Sequence, residues 1–207
     1  MRDYLDSAAD ASDNALAADH ENPGATYQTI AITGPYYFSD NDTTLEYQTF
    51  SVDRNDTSVI VVTKDADVNM THIDVVKNGY SCSLNQASFF GANAAMSVAN
   101  ASVAYIDHSN ITTRNGAANL YAYGSGTTVT ITDSDIYSSG PCAHGLYASA
   151  NGTIYTSNVR QYSGGIRSSA FAGDGRLDIC TSVTRWPTRL SEEVPSSTAS
   201  GSLMVPT

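Results

Sequence analysis

Residues 104–111 read Ala-Tyr-Ile-Asp-His-Ser-Asn-Ile, and residues 129–136 repeat this pattern as Val-Thr-Ile-Thr-Asp-Ser-Asp-Ile. A third copy lies at 152–159 when its closing Ser-Asn-Val is matched to Ser-Asn-Ile, at spacings of 25 and 23 residues. This alignment places Ile106, Ile131 and Ile154 in one column. A unit of this length cannot bury its apolar face alone, so stacked repeats are expected to share one core.

The repeat extends outward from this stretch. Upstream, Ala66, Val68 and Ile73 have the offsets of Ala104, Ile106 and Ile111, and an insertion at 76–90 is expected to follow them. A second apolar patch recurs at 120–122, 146–148 and 170–172. Alternation of apolar and polar residues, as at 129–132, is typical of a strand with one buried face. The sequence therefore predicts an all-β fold, a right-handed parallel β-helix with rungs of about 23–26 residues. An irregular β-sandwich is the alternative.

The pattern also divides the chain into three parts. Residues 1–26 are acidic and poor in large apolar residues, which predicts a disordered or weakly structured segment. The β-helix domain is expected at 27–180, with 29–38 and 44–51 as entry strands or an N-terminal cap. Residues 181–207 lack alternation and are expected to form an irregular tail.

Charge and composition narrow the partners. The chain has 21 acidic against 10 basic residues and a net charge of -11, which argues against nucleic acid. No apolar stretch is long enough for membrane insertion, and this sequence shows no signal peptide. Its three cysteines, Cys82, Cys142 and Cys180, allow one disulfide whose pairing stays open.

Three segments carry a resemblance to a known group of proteins. They are 77–80 (Lys-Asn-Gly-Tyr), 88–95 (Ser-Phe-Phe-Gly-Ala-Asn-Ala-Ala) and 109–113 (Ser-Asn-Ile-Thr-Thr). With these motifs, roughly residues 57–175 resemble uncharacterised β-helix repeat proteins of bacteria and fungi with pectin-lyase-like or adhesin-like folds. The resemblance implies a parallel β-helix and an extracellular or cell-surface setting. It implies no reaction.

Polysaccharide lyases and hydrolases need carboxylates that bind calcium or act as acid and base, with a nearby cation. The candidates here are Asp107, Asp133 and Arg160, with His108 beside them. The repeat alignment puts His108, Asp133 and Thr156 in one column. Such a group could act in acid–base chemistry or bind calcium, but the favoured interpretation is a solvated edge of the strand-to-turn corner.

Two further groups of residues are candidate sites, but neither forms a convincing catalytic set. The alignment puts Asn110, Asp135 and Asn158 in one column, which predicts a stack of Asx turns. The spacing of Cys142 and His144 suggests a nucleophile and base, but no third residue to orient them is identifiable. No other metal or cofactor motif is present in the sequence.

Tyrosines are the candidate ligand-binding residues. They alternate with inward residues, and several are expected to stack in ladders on the outside, where aromatic faces could receive sugar rings or a partner protein. Simple stabilisation of the sheet through contacts between neighbouring rungs is the favoured interpretation. The candidates are Tyr105, Tyr121, Tyr137, Tyr147 and Tyr155.

These observations give three hypotheses for function. The leading one is a non-enzymatic module, secreted or surface-associated in its complete form, that presents strand faces to a carbohydrate or protein partner. The second is a carbohydrate-active enzyme that uses Asp107, Asp133 and Arg160. The third is a fragment without independent function. The sequence leaves the oligomeric state open, although an uncapped end would favour end-to-end association.

Overall fold

The fold is known from a computed structural model, which describes residues 31–81, 87, 90–114, 118–140, 142–164, 168–173 and 176–179. The N-terminal segment 1–26, the tail 181–207, Cys82 and Cys180 lie outside the described residues. The strands of the described part are β1 (Tyr36–Ser39), β2 (Asp42–Glu46), β3 (Thr49–Asp53), β4 (Ile60–Thr63), β5 (Asp67–Thr71), β6 (Asp74–Asn78), β7 (Met96–Ala99), β8 (Val103–Asp107), β9 (Asn110–Thr113), β10 (Leu120–Tyr123), β11 (Thr128–Thr132), β12 (Asp135–Ser138), β13 (Leu146–Ser149), β14 (Thr153–Ser157), β15 (Arg160–Ser163), β16 (Phe171–Gly173) and β17 (Arg176–Ile179).

Every third strand belongs to the same parallel sheet. Sheet A has the order β1-β4-β7-β10-β13-β16, sheet B the order β2-β5-β8-β11-β14-β17, and sheet C the order β3-β6-β9-β12-β15. Three successive strands make one turn, and about five turns stack into a β-solenoid. The predicted parallel β-helix is therefore confirmed as a fold class. A β-sandwich is excluded, because sandwiches are built from antiparallel sheets.

The strand pairing in the structure differs from the predicted repeat alignment by two residues, both in the first and in the last copy of the repeat. Val129 aligns with Ala104 and Ile154, whereas we expected Ile154 beside Ile131. Ile131 instead aligns with Thr156 in the next turn. Val68 likewise aligns with Ala104, whereas the sequence alignment paired it with Ile106. A shift of two keeps each side chain on the same face of the strand, so alternation alone does not reveal it.

The recurring Ser-Asx pair, which misled the alignment, has its own structural explanation. The backbone N–H of Ile73 donates to Oγ of Ser109, and the N–H of Ser109 donates to Oγ of Ser134. These buried serines satisfy the backbone of the preceding turn. In the following turn, the residue before β15 is Val159 and no longer serine. The patch at 170–172 is also wrong by one residue, since Phe171 aligns with Leu146.

The inside of the solenoid is a single apolar core, formed by inward residues of all three sheets. Isoleucines of neighbouring turns lie directly above one another, such as Ile106 with Ile131 in sheet B and Ile111 with Ile136 in sheet C. Stacking of like residues in register allows each turn to bury the apolar face of the next.

One turn is longer than the others, and Gly91 and Ala94 from its long connection pack against Tyr121 of sheet A. Residue 73 and the residue one turn later that it contacts are 36 apart, against 25 for the next turn. The expected insertion at 76–90 begins later than predicted, because 76–78 belong to β6. Gly91, with a φ of 72°, packs against the ring of Tyr121, where an added Cβ would lie 2.6 Å from Cδ1. This close approach requires glycine.

The segments expected as entry strands or a cap, 29–38 and 44–51, overlap most of β1 and parts of β2 and β3. In the described part of the chain, no helix is both long and apolar enough to cross a membrane.

Candidate functional site on the outer face of sheet B

The five candidate tyrosines divide into two groups. Tyr105 and Tyr155 are exposed, with 47% and 38% of their surface accessible. Tyr121, Tyr137 and Tyr147 are buried, so the prediction that they form an exposed binding surface is wrong.

Neighbouring rings and loops explain the burial. Tyr121 and Tyr147 stack in sheet A with centroids 4.7 Å apart, and they cluster with Ala94 and Ala118 from the connections between turns. Tyr137 stacks on Tyr162 in sheet C at 5.2 Å. These tyrosines stabilise the packing between turns and between the sheets and their covering loops.

Sheet B leaves three outward columns in its first five turns. The central column contains both exposed tyrosines, with Thr130 between them. In chain order it contains Thr44, Asn69, Tyr105, Thr130 and Tyr155. One flanking column contains Asp42, Asp67, Val103, Thr128 and Thr153, and the other contains Glu46, Thr71, Asp107, Thr132 and Ser157. We call this surface the sheet B face. Its central column contains two tyrosines among polar residues, and its edges are polar except at Val103.

A ridge of left-handed residues borders the sheet B face where the chain turns into sheet C. Each has a φ between 47° and 54°: Tyr47, His72, His108, Asp133 and Asn158. The expected columns here are wrong: His108 and Asp133 are followed by Asn158, whereas Thr156 is buried in β14. Asn110 and Asp135 begin strands of sheet C and align with Arg160. A stack of left-handed turn residues is therefore present, but it is this ridge and not the predicted column of Asn110, Asp135 and Asn158.

The side-chain rings of the first three ridge residues stack on one another. Tyr47 stacks on His72 with centroids 4.8 Å apart, and His72 stacks on His108 at 5.2 Å. Asp133 continues the ridge and accepts a hydrogen bond from Nδ2 of Asn158. Left-handed geometry is costly for most residues, and contacts of this kind between turns compensate for it.

The structure brings Asp107, His108 and Asp133 together, with ligand atoms within 4.8 Å of one another. His108 Nδ1 lies 2.7 Å from Oδ2 of Asp107, and Thr132 donates to Oδ1 of Asp107 at 2.5 Å. Burial raises the pKa of Asp107, but the hydrogen bonds from Thr132 and His108 outweigh it and lower that pKa. The hydrogen bond to Asp107 raises the pKa of His108.

These shifts limit the chemistry of the cluster. A general acid near neutral pH needs a raised carboxyl pKa, and Asp107 shows the opposite shift. Calcium takes six to eight oxygen ligands, and two carboxylates with an imidazole do not by themselves form such a site.

Arg160 is engaged elsewhere. Its Nε lies 2.6 Å from Oδ1 of Asp135, and its Nη2 lies 2.5 Å from Oδ2 of the same carboxylate. This two-point contact joins aligned residues of β12 and β15 at the edge of sheet C. The structure therefore gathers Asp107 and Asp133, and it pairs Arg160 with a different aspartate.

Cys142 and His144 are both buried beside sheet A. The ring of His144 meets that of Tyr147 edge to face at 5.1 Å. Burial lowers the pKa of His144 to about 4, so this imidazole is a weak base. Its position indicates a packing role.

Sequence reasoning missed Lys77, whose side chain is fully buried. Its Nζ donates to the carbonyl oxygens of Arg54 (3.0 Å), Gly79 (3.1 Å) and Asn78. Lys77 lies two residues after the inward Val75, so the alternation itself was the available signal. It was overlooked because the predicted insertion began at residue 76.

Comparison with known proteins adds no relative: the chain matches no protein-family model, no curated protein and no solved structure significantly.

Proposed function

We propose that this protein is a non-catalytic module that binds an extended β-linked polysaccharide along its sheet B face. The observation that carries the proposal is the placement of Tyr105 and Tyr155. Both are exposed, and both lie in the central column, two turns apart with Thr130 between them. Tyrosine presents a flat apolar face together with a hydroxyl group, which suits the face and hydroxyls of a sugar ring.

The repeat of the solenoid supports a polymer over a single small ligand. Neighbouring parallel strands are about 4.8 Å apart, so the two tyrosines are separated by about 10 Å along the solenoid axis. In a β-1,4-linked sugar chain, each sugar advances by a distance close to the spacing of two neighbouring strands. Every second sugar presents the same face. One sugar per turn would therefore place equivalent sugar faces on Tyr105 and Tyr155.

Polar side chains at the edges supply partners for sugar hydroxyls. Thr128, Thr130 and Thr153 are partly exposed beside the tyrosines, and Asn69 is exposed one turn before Tyr105. Hydroxyl and amide groups on a rigid sheet can form hydrogen bonds with little loss of conformational entropy.

Calorimetric titration of the full chain with β-1,4-linked hexasaccharides tests the proposal. Tyr105→Ala and Tyr155→Ala should each weaken binding by roughly tenfold or more. An aromatic side chain that a ligand covers contributes more than about 1 kcal/mol to binding. Tyr37→Ala is the matched control, because Tyr37 is equally exposed but lies on sheet A. Absence of binding to any polysaccharide overturns the proposal in favour of a protein partner.

One observation favours a second candidate, a polysaccharide lyase or hydrolase of pectin-lyase-like fold. Asp107 and Asp133 lie together at the border of the sheet B face. Incubation with the bound polysaccharide would then release new reducing ends or unsaturated products, and Asp133→Asn would abolish them. The lowered pKa of Asp107 and the engagement of Arg160 by Asp135 support binding over cleavage.

We also propose an extracellular or cell-surface setting, as in adhesin-like proteins, because polysaccharide chains of this kind are presented there. Fractionation of cells that express the protein from its natural gene tests this setting. Recovery only from the cytoplasm would oppose it.

A further inference from the structure

Carboxylates line both edges of the sheet B face in its first three turns. Strands β2, β5, β8, β11 and β14, which form its first five turns, contain no lysine or arginine. One flanking column contains Asp42 and Asp67, and the other contains Glu46 and Asp107. The face is therefore negatively charged on both sides of the central column up to Tyr105, and its edges are uncharged beside Thr130 and Tyr155.

Asp42 and Asp67 are direct neighbours across two strands. Parallel strands lie about 4.8 Å apart, and like charges placed opposite each other destabilise a sheet. Oδ1 of Asp67 is buried and makes no hydrogen bond to any residue that the structure describes. This edge would gain from a positively charged group, which strands β2, β5, β8, β11 and β14 do not supply.

We propose that the polysaccharide is a cationic one, a β-1,4-linked polymer of amino sugars with free amino groups. The inference rests on the proposed binding of a polysaccharide by the sheet B face. Successive sugars of such a chain are rotated by half a turn, so their amino groups point alternately to the two sides. Carboxylates stand on both sides of the central column in the first three turns, at Asp42 and Asp67 on one side and at Glu46 and Asp107 on the other, and Asp107 lies in the same turn as Tyr105.

The charge of the whole chain agrees with this assignment. A net charge of -11 repels polyuronates and attracts polycations over a range set by the ionic strength. A charged ligand alone would be bound diffusely by any acidic surface. The tyrosine column supplies the specific contact, and the carboxylates select the class of sugar.

The test compares four hexasaccharides by calorimetry on the full chain: those of β-1,4-linked glucosamine, N-acetylglucosamine and glucose, and that of galacturonic acid. The glucosamine hexamer should bind roughly tenfold more tightly than the two neutral hexamers, and added salt should shrink this difference. Asp42→Asn and Glu46→Gln should each weaken binding of the glucosamine hexamer several-fold and leave that of the glucose hexamer unchanged. Asp74→Asn is the matched control, since it removes the same charge from sheet C.

Each result has a separate meaning. Equal affinity for the neutral and the glucosamine hexamers overturns this inference and leaves the proposed function intact. Tighter binding of the galacturonic acid hexamer, which is α-linked, overturns both this inference and the preference for β-linked chains. An equal loss in Asp74→Asn and Asp42→Asn shows diffuse attraction and also overturns it. Failure of all four hexamers to bind overturns the proposed function itself. Circular dichroism and thermal melting of each variant establish that it is folded.

Discussion

His108 Nδ1 lies 2.7 Å from Oδ2 of Asp107, the residue that precedes it, and the two side chains face Asp133 of the next turn. His108 is exposed on the ridge, and Asp107 belongs to the sheet B face. This contact therefore links the protonation of a ridge imidazole to a carboxylate at the edge of the proposed binding surface.

The first prediction concerns the titration of His108. The hydrogen bond to Asp107 raises the pKa of His108 above 6.5, with a smaller contribution from the charge of Asp133. Asp107→Asn should therefore lower the pKa of His108, as followed by the chemical shifts of its ring in NMR spectra. Asp74→Asn removes a carboxylate from sheet C and should leave that titration unchanged. An unaltered His108 titration in Asp107→Asn would show that the contact does not form in solution.

The second prediction concerns stability in acid. Burial lowers the pKa of His144 from 6.5 to about 4 in the folded protein. Between these two values the unfolded chain binds a proton that the folded protein does not, so stability falls as the pH drops from about 6.5 to about 4. The contribution is at most about 3 kcal/mol.

Denaturant unfolding at several pH values measures this contribution. The unfolding free energy of the wild type should fall relative to that of His144→Phe as the pH falls through this window. His72→Asn is the control, because His72 is exposed and asparagine tolerates its left-handed backbone. A constant difference between the wild type and His144→Phe would contradict the burial of His144.

The third prediction tests the register of the solenoid. Thr156 is buried in the column of Ile106 and Ile131, and its Oγ1 has no hydrogen-bond partner among the described residues. Thr156→Val keeps the shape and removes the unsatisfied hydroxyl, so it should stabilise the protein by about 1 kcal/mol. Thr153→Val, at a half-exposed position of the same strand, should change stability by less than about 0.5 kcal/mol. Destabilisation by Thr156→Val in thermal or denaturant unfolding would contradict the register.

Thr156 also shows which features of the fold can be predicted from the sequence and which cannot. Alternation predicted the strands and their parallel stacking, because each turn must bury its inward residues against the next. It could not predict the register of the last full turn, since a shift of two residues preserves the inward face and a buried threonine resembles an outward one. The two exposed tyrosines were among the predicted site residues, but the burial of Tyr121 depends on a connection that packs over sheet A. Contacts of that kind leave no periodic signal.

The last prediction concerns Lys77. Burial lowers its pKa from 10.5 to about 8, although the charges of Asp53 and Asp56 act in the opposite direction. Between pH 8 and 10.5 the unfolded chain holds a proton that the folded protein has lost, so stability contributed by Lys77 rises with pH by at most about 3 kcal/mol. The difference in unfolding free energy between the wild type and Lys77→Met should therefore rise in favour of the wild type across this window. The same comparison for the exposed Lys64→Met should stay flat. A flat difference for Lys77→Met as well would place its ammonium group in water, outside the cage of three backbone carbonyl groups.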